Sequence, residues 1–305
     1  MKKPAVVVLS LVVVVVAVLL VPFVFREKGH RLEGPALSEQ RCTEVTFRNG
    51  DLRLAGLLFV PDGEGPFPVA VFIHGSGTSR RDSPWYLTVA QHLQRNGVAV
   101  LLPDKRGSEK SGGDWRTATF PDLASDACAA VAFVRSQSAF ALSPVGIVGF
   151  SQGGWIAPVA ANLDTSLDFV VSMSGPGVTT DEQLLYEEKH NIADAGTYHF
   201  VGALLAPVAV QFIKREAFWK PIGGFDPLPY WREVKAPAFM AFGGGDENVP
   251  VPESVQRIGA LGRRNITVKV YSGGGHGIWD PATYRVQPAY LNDLAAFIHA
   301  SASGR

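Results

Sequence analysis

Gly149-Phe150-Ser151-Gln152-Gly153 is the segment of the sequence best suited to covalent chemistry. A serine hydroxyl is a weak nucleophile at neutral pH. A catalytic serine therefore needs exposure, a base, and a cradle for the charge that develops on its substrate. Val145–Phe150 is an apolar run that reads as a buried strand, and Gln152–Asn162 reads as a helix starting directly after the serine. So tight a strand-to-helix turn strains the backbone at Ser151 and excludes bulky side chains nearby, which accounts for the glycines two residues away on each side. The turn also puts the serine at a helix N-terminus, where free N–H groups favour negative charge. A serine that merely caps a helix after a core strand is the structural alternative.

With this arrangement the acid and then the base are expected to follow the serine in the chain. Four histidines do so: His190, His199, His276 and His299. His276 lies in Gly273-Gly274-Gly275-His276-Gly277, a loop just past the expected strand Thr267–Tyr271. Ligands and catalytic groups gather in loops at the carboxyl ends of parallel strands, so His276 is the expected base. His190 and His199 fall in a stretch of different character, and His299 at the end of the last helix can simply cap carbonyls.

The acid should end the preceding strand. Ala238–Gly243 is followed by Gly244-Gly245-Asp246-Glu247, and Asp246 is the expected partner of His276. Glu247 is the neighbour whose side chain should point away, and Asp181 is a remoter candidate. The oxyanion needs two backbone N–H donors. One is expected from Gln152. The other is expected from the loop His74-Gly75-Ser76-Gly77, with Ser76 first and Gly77 as the alternative. His74 reads as a buttress of that loop rather than a reacting group.

The elements that must hold these residues alternate. Thr43–Arg48 and Leu52–Val60 read as strands of a hairpin around Asn49-Gly50-Asp51. Further strands are expected at Pro68–Ile73, Val98–Leu102 and Phe169–Met173. Helices are expected at Trp85–Arg95, Phe120–Ser136 and Ala289–Ala300. Strands alternating with helices imply right-handed crossovers and a mostly parallel sheet, with the hairpin as an antiparallel edge. Residues 176–235 break the alternation, with helical character over Asp181–Ala193 and Gly202–Lys220. An insertion this long between two strands reads as a helical cap over a site.

The chain has 305 residues, 47% of them hydrophobic, and a formal net charge of zero. That is enough for one large domain. It offers no basic surplus for nucleic acid, so no nucleic-acid partner is expected. Neither a phosphate-binding loop nor a His-Glu-x-x-His metal motif is present. Cys42 and Cys128 match no metal spacing and read as unpaired. Residues 4–25 carry no charge and hardly any polarity, a run about 33 Å long as a helix and enough to cross a bilayer core. It lacks the short core and small-residue cleavage site of a signal peptide. The expectation is a single-pass signal anchor over residues 1–28, a linker over 29–42, and a domain over 43–305 that is extracytoplasmic.

Taken together, HGSG at 74–77, PDKRGSEKSGGDW at 103–115, VGIVGFSQGGWIAP at 145–158, GGGDENVPV at 243–251 and GGGHG at 273–277 resemble the α/β-hydrolase superfamily. The nearest likeness is to its bacterial esterase and serine-aminopeptidase branch. Many members carry a histidine where Phe150 stands here. The resemblance implies a serine hydrolase with triad Ser151, Asp246 and His276, needing no metal or cofactor, and a segment Asp104-Lys105-Arg106-Gly107 at the site entrance. The expected fold is an α/β-hydrolase sheet flanked by helices, with a helical cap and an N-terminal transmembrane helix. The expected substrate is a small-molecule ester, cleaved through an acyl-enzyme. Alternatives are a peptide or aminoacyl amide, for which Glu182, Glu187 or Glu188 could bind an amino group, or a thioester. A non-catalytic, membrane-tethered binding module is the rival of a different class.

Overall fold

The computed structural model describes residues 32–303. Eight strands form one sheet in the order β1-β2-β4-β3-β5-β6-β7-β8. They are β1 Thr43–Asn49, β2 Leu52–Phe59, β3 Val69–Ile73, β4 Ala99–Pro103, β5 Val145–Phe150, β6 Val170–Met173, β7 Ala238–Gly243 and β8 Ile266–Tyr271. β1 pairs β2 antiparallel with Asn49 opposite Leu52, so Gly50-Asp51 is the two-residue turn. Gly50 takes the positive φ, 56°, that such a turn demands. β2 meets β4 antiparallel, and every other pairing from β3 to β8 in this sheet is parallel.

Helices cover both faces. In chain order they are α1 Pro84–Arg95, α2 Phe120–Ser136, α3 Gln152–Leu163, α4 Thr180–Asp194, α5 His199–Ile213, α6 Leu228–Glu233, α7 Val251–Ala260 and α8 Pro288–Ala302. β3 shows why both faces need cover. Val69, Val71 and Ile73 pack with α2 and α3 residues such as Val131 and Ile156. Ala70 and Phe72 turn the other way, toward Leu87 of α1 and Leu294 of α8. With period-2 alternation, a strand apolar at every position must be buried on both sides.

Three features depart from the sequence reading. The helix expected over Gly202–Lys220 is α5, which starts at His199 and stops at Ile213. Beyond it the chain runs through i→i+3 bonds such as Glu216 N–H to Ile213 C=O and Trp219 N–H to Glu216 C=O. Pro221 disfavours helical geometry at Lys220, and Gly223-Gly224 follow. The short α6 and the amphipathic α7 were not anticipated. α7 buries Val251, Ser254 and Ile258, and a serine in the buried stripe hides the pattern. The expected linker is partly packed, with Leu32 and Leu37 against the core. Both cysteines are free thiols.

The fold class expected above also needs correction. It included a transmembrane helix, and among the described residues no helix is long and apolar enough to cross a membrane. The apolar run 4–25 lies outside the described residues. The architecture is the sheet with its flanking helices. Residues 176–235, expected as an inserted cap, contain α4, α5 and α6 between β6 and β7.

Trp231 of α6 is fully buried, and its indole N–H has no partner among the described residues. Trp231 therefore contributes by volume alone. Trp231→Ala should cost about 3–5 kcal/mol, and Trp231→Phe roughly half of that. Urea titration of the two variants checks the ratio. Equal losses would mean that the indole nitrogen matters.

Candidate active site

Ser151 sits between β5 and α3 at φ 53° and ψ −116°, where a non-glycine residue is strained. Its N–H bonds the Met173 carbonyl of β6 at 2.8 Å, which holds the turn to the neighbouring strand. The turn closes only because its flanks lack side chains. A Cβ on Gly149 would lie 2.1 Å from the Gly153 carbonyl, and one on Gly153 would lie 2.3 Å from that of Ile73. Gln152 opens α3, so its N–H has no acceptor within the helix.

The loops after β7 and β8 bring Asp246 and His276 together. His276 Nδ1 lies 2.9 Å from Asp246 Oδ2 and 3.1 Å from Oδ1. The Asp246 side chain is 0% exposed and that of His276 22%. Oδ1 also accepts the N–H groups of Asn248 at 2.8 Å and Val249 at 3.0 Å. A buried carboxylate is tolerable when its lone pairs are filled in this way. Here again two loops meet over glycine, since a Cβ on Gly243 would lie 2.1 Å from the Gly275 carbonyl. The ring of Phe150, the residue before Ser151, is stacked on Trp85 and lies 5.1 Å from that of His276. No hydrogen bond joins Ser151 to His276 among the described residues. Serine hydroxyls rotate, and unliganded sites often hold this contact long.

The loop after β3 forms the opposite wall. His74 is buried and its Nε2 lies 2.8 Å from the Pro103 carbonyl, tying the ends of β3 and β4 together as a buttress would. Burial first, and the Lys105 charge second, hold its pKa down at about 3. His74 is therefore neutral, with Nε2–H the donor to Pro103. Gly75 N–H donates to the Tyr86 hydroxyl at 2.8 Å, and burial pushes that phenol's pKa up. The Gly75 carbonyl accepts from Lys105 Nζ, which also donates to Gln152 Oε1 at 3.0 Å. Burial lowers the Lys105 pKa from 10.5 to about 7. The sequence reading named Lys105 only within the entrance segment. Nothing in its neighbours marks a lysine for burial.

Beside the serine a cavity of about 360 Å³ opens, with Ser76, Gly77 and Gln152 on its wall. Trp115, Trp155, Leu184, Ile213, Phe218 and Trp219 supply an apolar lining. Glu187 and Glu188 of α4 stand at the same cavity. The remaining candidates are engaged elsewhere. Asp181 pairs with Lys214 at 2.9 Å. Glu182 is held by Arg257, whose hydrogen bond is the main cause of a pKa lowered to about 2. Glu247 is exposed overall and turns toward Asp194; partial desolvation of its carboxyl and that neighbouring charge raise its pKa. His190 bonds the Tyr186 carbonyl, and His299 bonds that of Asn96. Among the described residues no cluster of three or more His, Cys, Asp or Glu side chains could hold a metal ion. Tyr186, which the sequence suggests only as apolar surface of the cap, bonds the Asp246 carbonyl from α4 at 3.2 Å.

A sequence profile of the alpha/beta hydrolase family matches residues 70–286, and the chain belongs to that family. Esterase EstD of Thermotoga maritima is 24% identical over 250 residues, which is 76% of this chain and 60% of its own length. A putative carboxymethylenebutenolidase of Synechocystis is 22% identical over 270 residues, 82% of this chain and 92% of its own. Dipeptidyl aminopeptidase BIII of Pseudoxanthomonas mexicana is 27% identical over 276 residues, 82% of this chain and 37% of its own. The chain thus spans about 60% of the T. maritima esterase and well under half of the aminopeptidase. A solved esterase of Pyrococcus furiosus shares the fold, with a TM-score of 0.65 at 21% identity over 91% of this chain and 100% of that one. The relatives it resembles thus include one named as an esterase and one named as an aminopeptidase.

Lys105 gives stability a pH dependence of definite sign. Its pKa is near 7 in the fold and near 10.5 unfolded. Below pH 7 both states hold the proton, and folding buries a charge. Between those values the unfolded chain binds more proton, so stability rises with pH by up to about 1.4 kcal/mol per pH unit. Lys105→Met removes this contribution. The stability of wild type relative to the variant, from urea titrations, should climb between about pH 7 and pH 10. A flat difference would mean that the amine stays charged in the fold.

Proposed function

We propose that Ser151, His276 and Asp246 form a catalytic triad, and that the chain hydrolyses carboxylic esters through an acyl-enzyme on Ser151. The observation that carries this reading is the buried Asp246 carboxylate on His276 Nδ1, beside a serine held at positive φ. Asp246 fixes the imidazole with Nδ1–H toward the carboxylate, which leaves Nε2 as the base. Nε2 takes the proton of Ser151 Oγ as Oγ bonds the substrate carbonyl carbon. The carbonyl oxygen becomes an oxyanion, and the N–H groups of Gln152 and Ser76 stabilise it. When the intermediate collapses the bond to the alcohol oxygen breaks, and His276 returns its proton to that oxygen. Water, deprotonated by His276, then attacks the acyl carbon, and the acid leaves as Ser151 regains its proton.

The size and lining of the cavity favour an apolar acyl group of short to medium length. The names of the relatives, among them an esterase, point to the same bond class. One observation favours a second reading, an aminoacyl ester or amide. Glu187 and Glu188 line the cavity, and no ion pair among the described residues includes either. A carboxylate pair at that position could bind a substrate ammonium.

Wild type should hydrolyse p-nitrophenyl butyrate faster than the palmitate. Ser151→Ala should lose roughly 10⁴- to 10⁶-fold in kcat, and Asp246→Asn roughly 10⁴-fold. A folded wild type inert to both esters and to a fluorophosphonate probe would sink the reading and favour a binding module. For the second reading, a Glu187→Gln, Glu188→Gln double variant should lose about tenfold or more on an alanyl ester and little on butyrate. Equal losses on the two substrates would exclude it.

A further inference from the structure

We infer that Lys105 is the positioning residue of the oxyanion hole, fixing both of its N–H donors at once. The inference rests on the acyl-transfer reading and adds a residue to it. Its basis is the geometry of one peptide unit. The Gly75 carbonyl and the Ser76 N–H belong to the same planar peptide, which is trans. In a trans peptide the C=O and N–H point in opposite directions. A group that holds the carbonyl therefore sets the direction of the N–H. Lys105 Nζ holds the Gly75 carbonyl from the protein side. The Ser76 N–H is thereby directed away from Lys105, at a residue that lines the cavity. Tyr86 holds the preceding peptide plane through the Gly75 N–H, so both peptides that flank Gly75 are anchored.

The same ammonium reaches the side chain of the residue that carries the second donor. Lys105 Nζ donates to Gln152 Oε1, drawing that side chain to the wall of the site. Gln152 carries the other oxyanion N–H at the start of α3. Lys105 thus links the β3 loop to the first turn of α3 from behind the Ser76 N–H. A single nitrogen with three donors and a long stem suits this bridge.

The backbone that carries Lys105 is itself anchored. Its N–H bonds Ser79 Oγ at 3.0 Å, and the adjacent Asp104 is clamped by Arg81 through bonds of 2.8 and 2.7 Å. No ion pair among the described residues includes Lys105, so no carboxylate competes for its protons. A buried amine without a counter-charge is costly to keep for packing alone. Its two acceptors are the carbonyl of the peptide that carries the Ser76 N–H and the side chain of Gln152. The neutral amine donates as the ammonium does, so the bridge persists on either side of neutrality.

The test compares the full chain with its Lys105→Met and Lys105→Gln variants in fluorophosphonate labelling and ester turnover. Lys105→Met should label to the same final stoichiometry but roughly 10²-fold more slowly, since a displaced donor costs on that scale. KM should stay within about threefold, and a boronic acid that forms a tetrahedral adduct should weaken in step with kcat/KM. Lys105→Gln keeps an N–H donor, and its loss should be nearer tenfold. A labelling rate for Lys105→Met within about threefold of wild type overturns the inference. So does a loss confined to KM or to the fraction of sites labelled, which marks a merely structural lysine. If circular dichroism shows Lys105→Met unfolded, the labelling rate of Lys105→Gln decides, and a wild-type rate overturns the inference. Failure of wild type to label at all is a different result, because it removes the acyl-transfer reading itself.

Discussion

The strained turn at Ser151 is the constraint on which the rest of the molecule depends. A non-glycine residue at φ 53° is unfavourable by about 1–3 kcal/mol, and it persists only where its surroundings over-determine it. β5 provides that determination. It is central in the sheet, paired with β3 on one side and β6 on the other. The turn is further tied to β6 through the Met173 carbonyl. α3 must then press onto the strand ends, which is possible because Gly149 and Gly153 let backbone meet backbone. The positions of β3 and its loop follow, since the carbonyl that Gly153 packs against belongs to Ile73. The sheet order places β3 and β5 side by side, so the oxyanion loop and the serine emerge together at the carboxyl ends of adjacent strands.

Around this turn, desolvation and pairing are balanced differently for each buried polar group. Asp246 is buried but fully engaged, by His276 and two backbone N–H groups. Asp104 is likewise answered by Arg81. For both, pairing offsets the loss of water. His74 takes the opposite course, and burial leaves it neutral as a one-way donor to Pro103. Lys105 lies between these cases, with acceptors but no counter-charge, and burial accordingly pulls its pKa down. Side chains that only shaped the pocket could be apolar. His74, Lys105, Tyr86 and Asp246 each direct a backbone carbonyl, a backbone N–H or a ring.

The legible part of this site was encoded locally. Ser151, Asp246 and His276 each follow an apolar run at a glycine-rich turn, and the spacing of strand and loop marks them without knowledge of what packs where. The hairpin and most strands were legible for the same reason, because apolar runs bounded by turn residues report burial directly. What escaped depends on contacts between segments distant in sequence. Tyr86 meets Gly75 from α1, Tyr186 meets Asp246 across the insertion, and Lys105 reaches Gln152 from the loop after β4. No periodicity announces such contacts. α6 is too short to show a period, and the buried stripe of α7 contains Ser254. The transmembrane helix was inferred from hydropathy over residues that lie outside the described chain, and the described helices contain no such element.

The arrangement separates selection from chemistry. The reacting groups stand on strand ends of a sheet buried on both faces, whereas much of the cavity wall comes from α4, α5 and the turns after them. These two parts are not independent. Gln183 of α4 bonds the Asn248 carbonyl, the Asn248 side chain bonds Glu187, and Tyr186 bonds the Asp246 carbonyl. The loop that holds the acid is thus the surface on which the insertion rests. A substitution at Tyr186, whose hydroxyl bonds the Asp246 carbonyl, will therefore also bear on how Asp246 is presented to His276. Changes farther out, on the solvent-facing side of α5 where Phe200, Leu204, Val208 and Phe212 are exposed, have no such route to the acid. Substrate preference should therefore diverge most freely through the apolar lining contributed by Ile213, Phe218 and Trp219, and least through the face of α4 that touches Asp246 and Asn248.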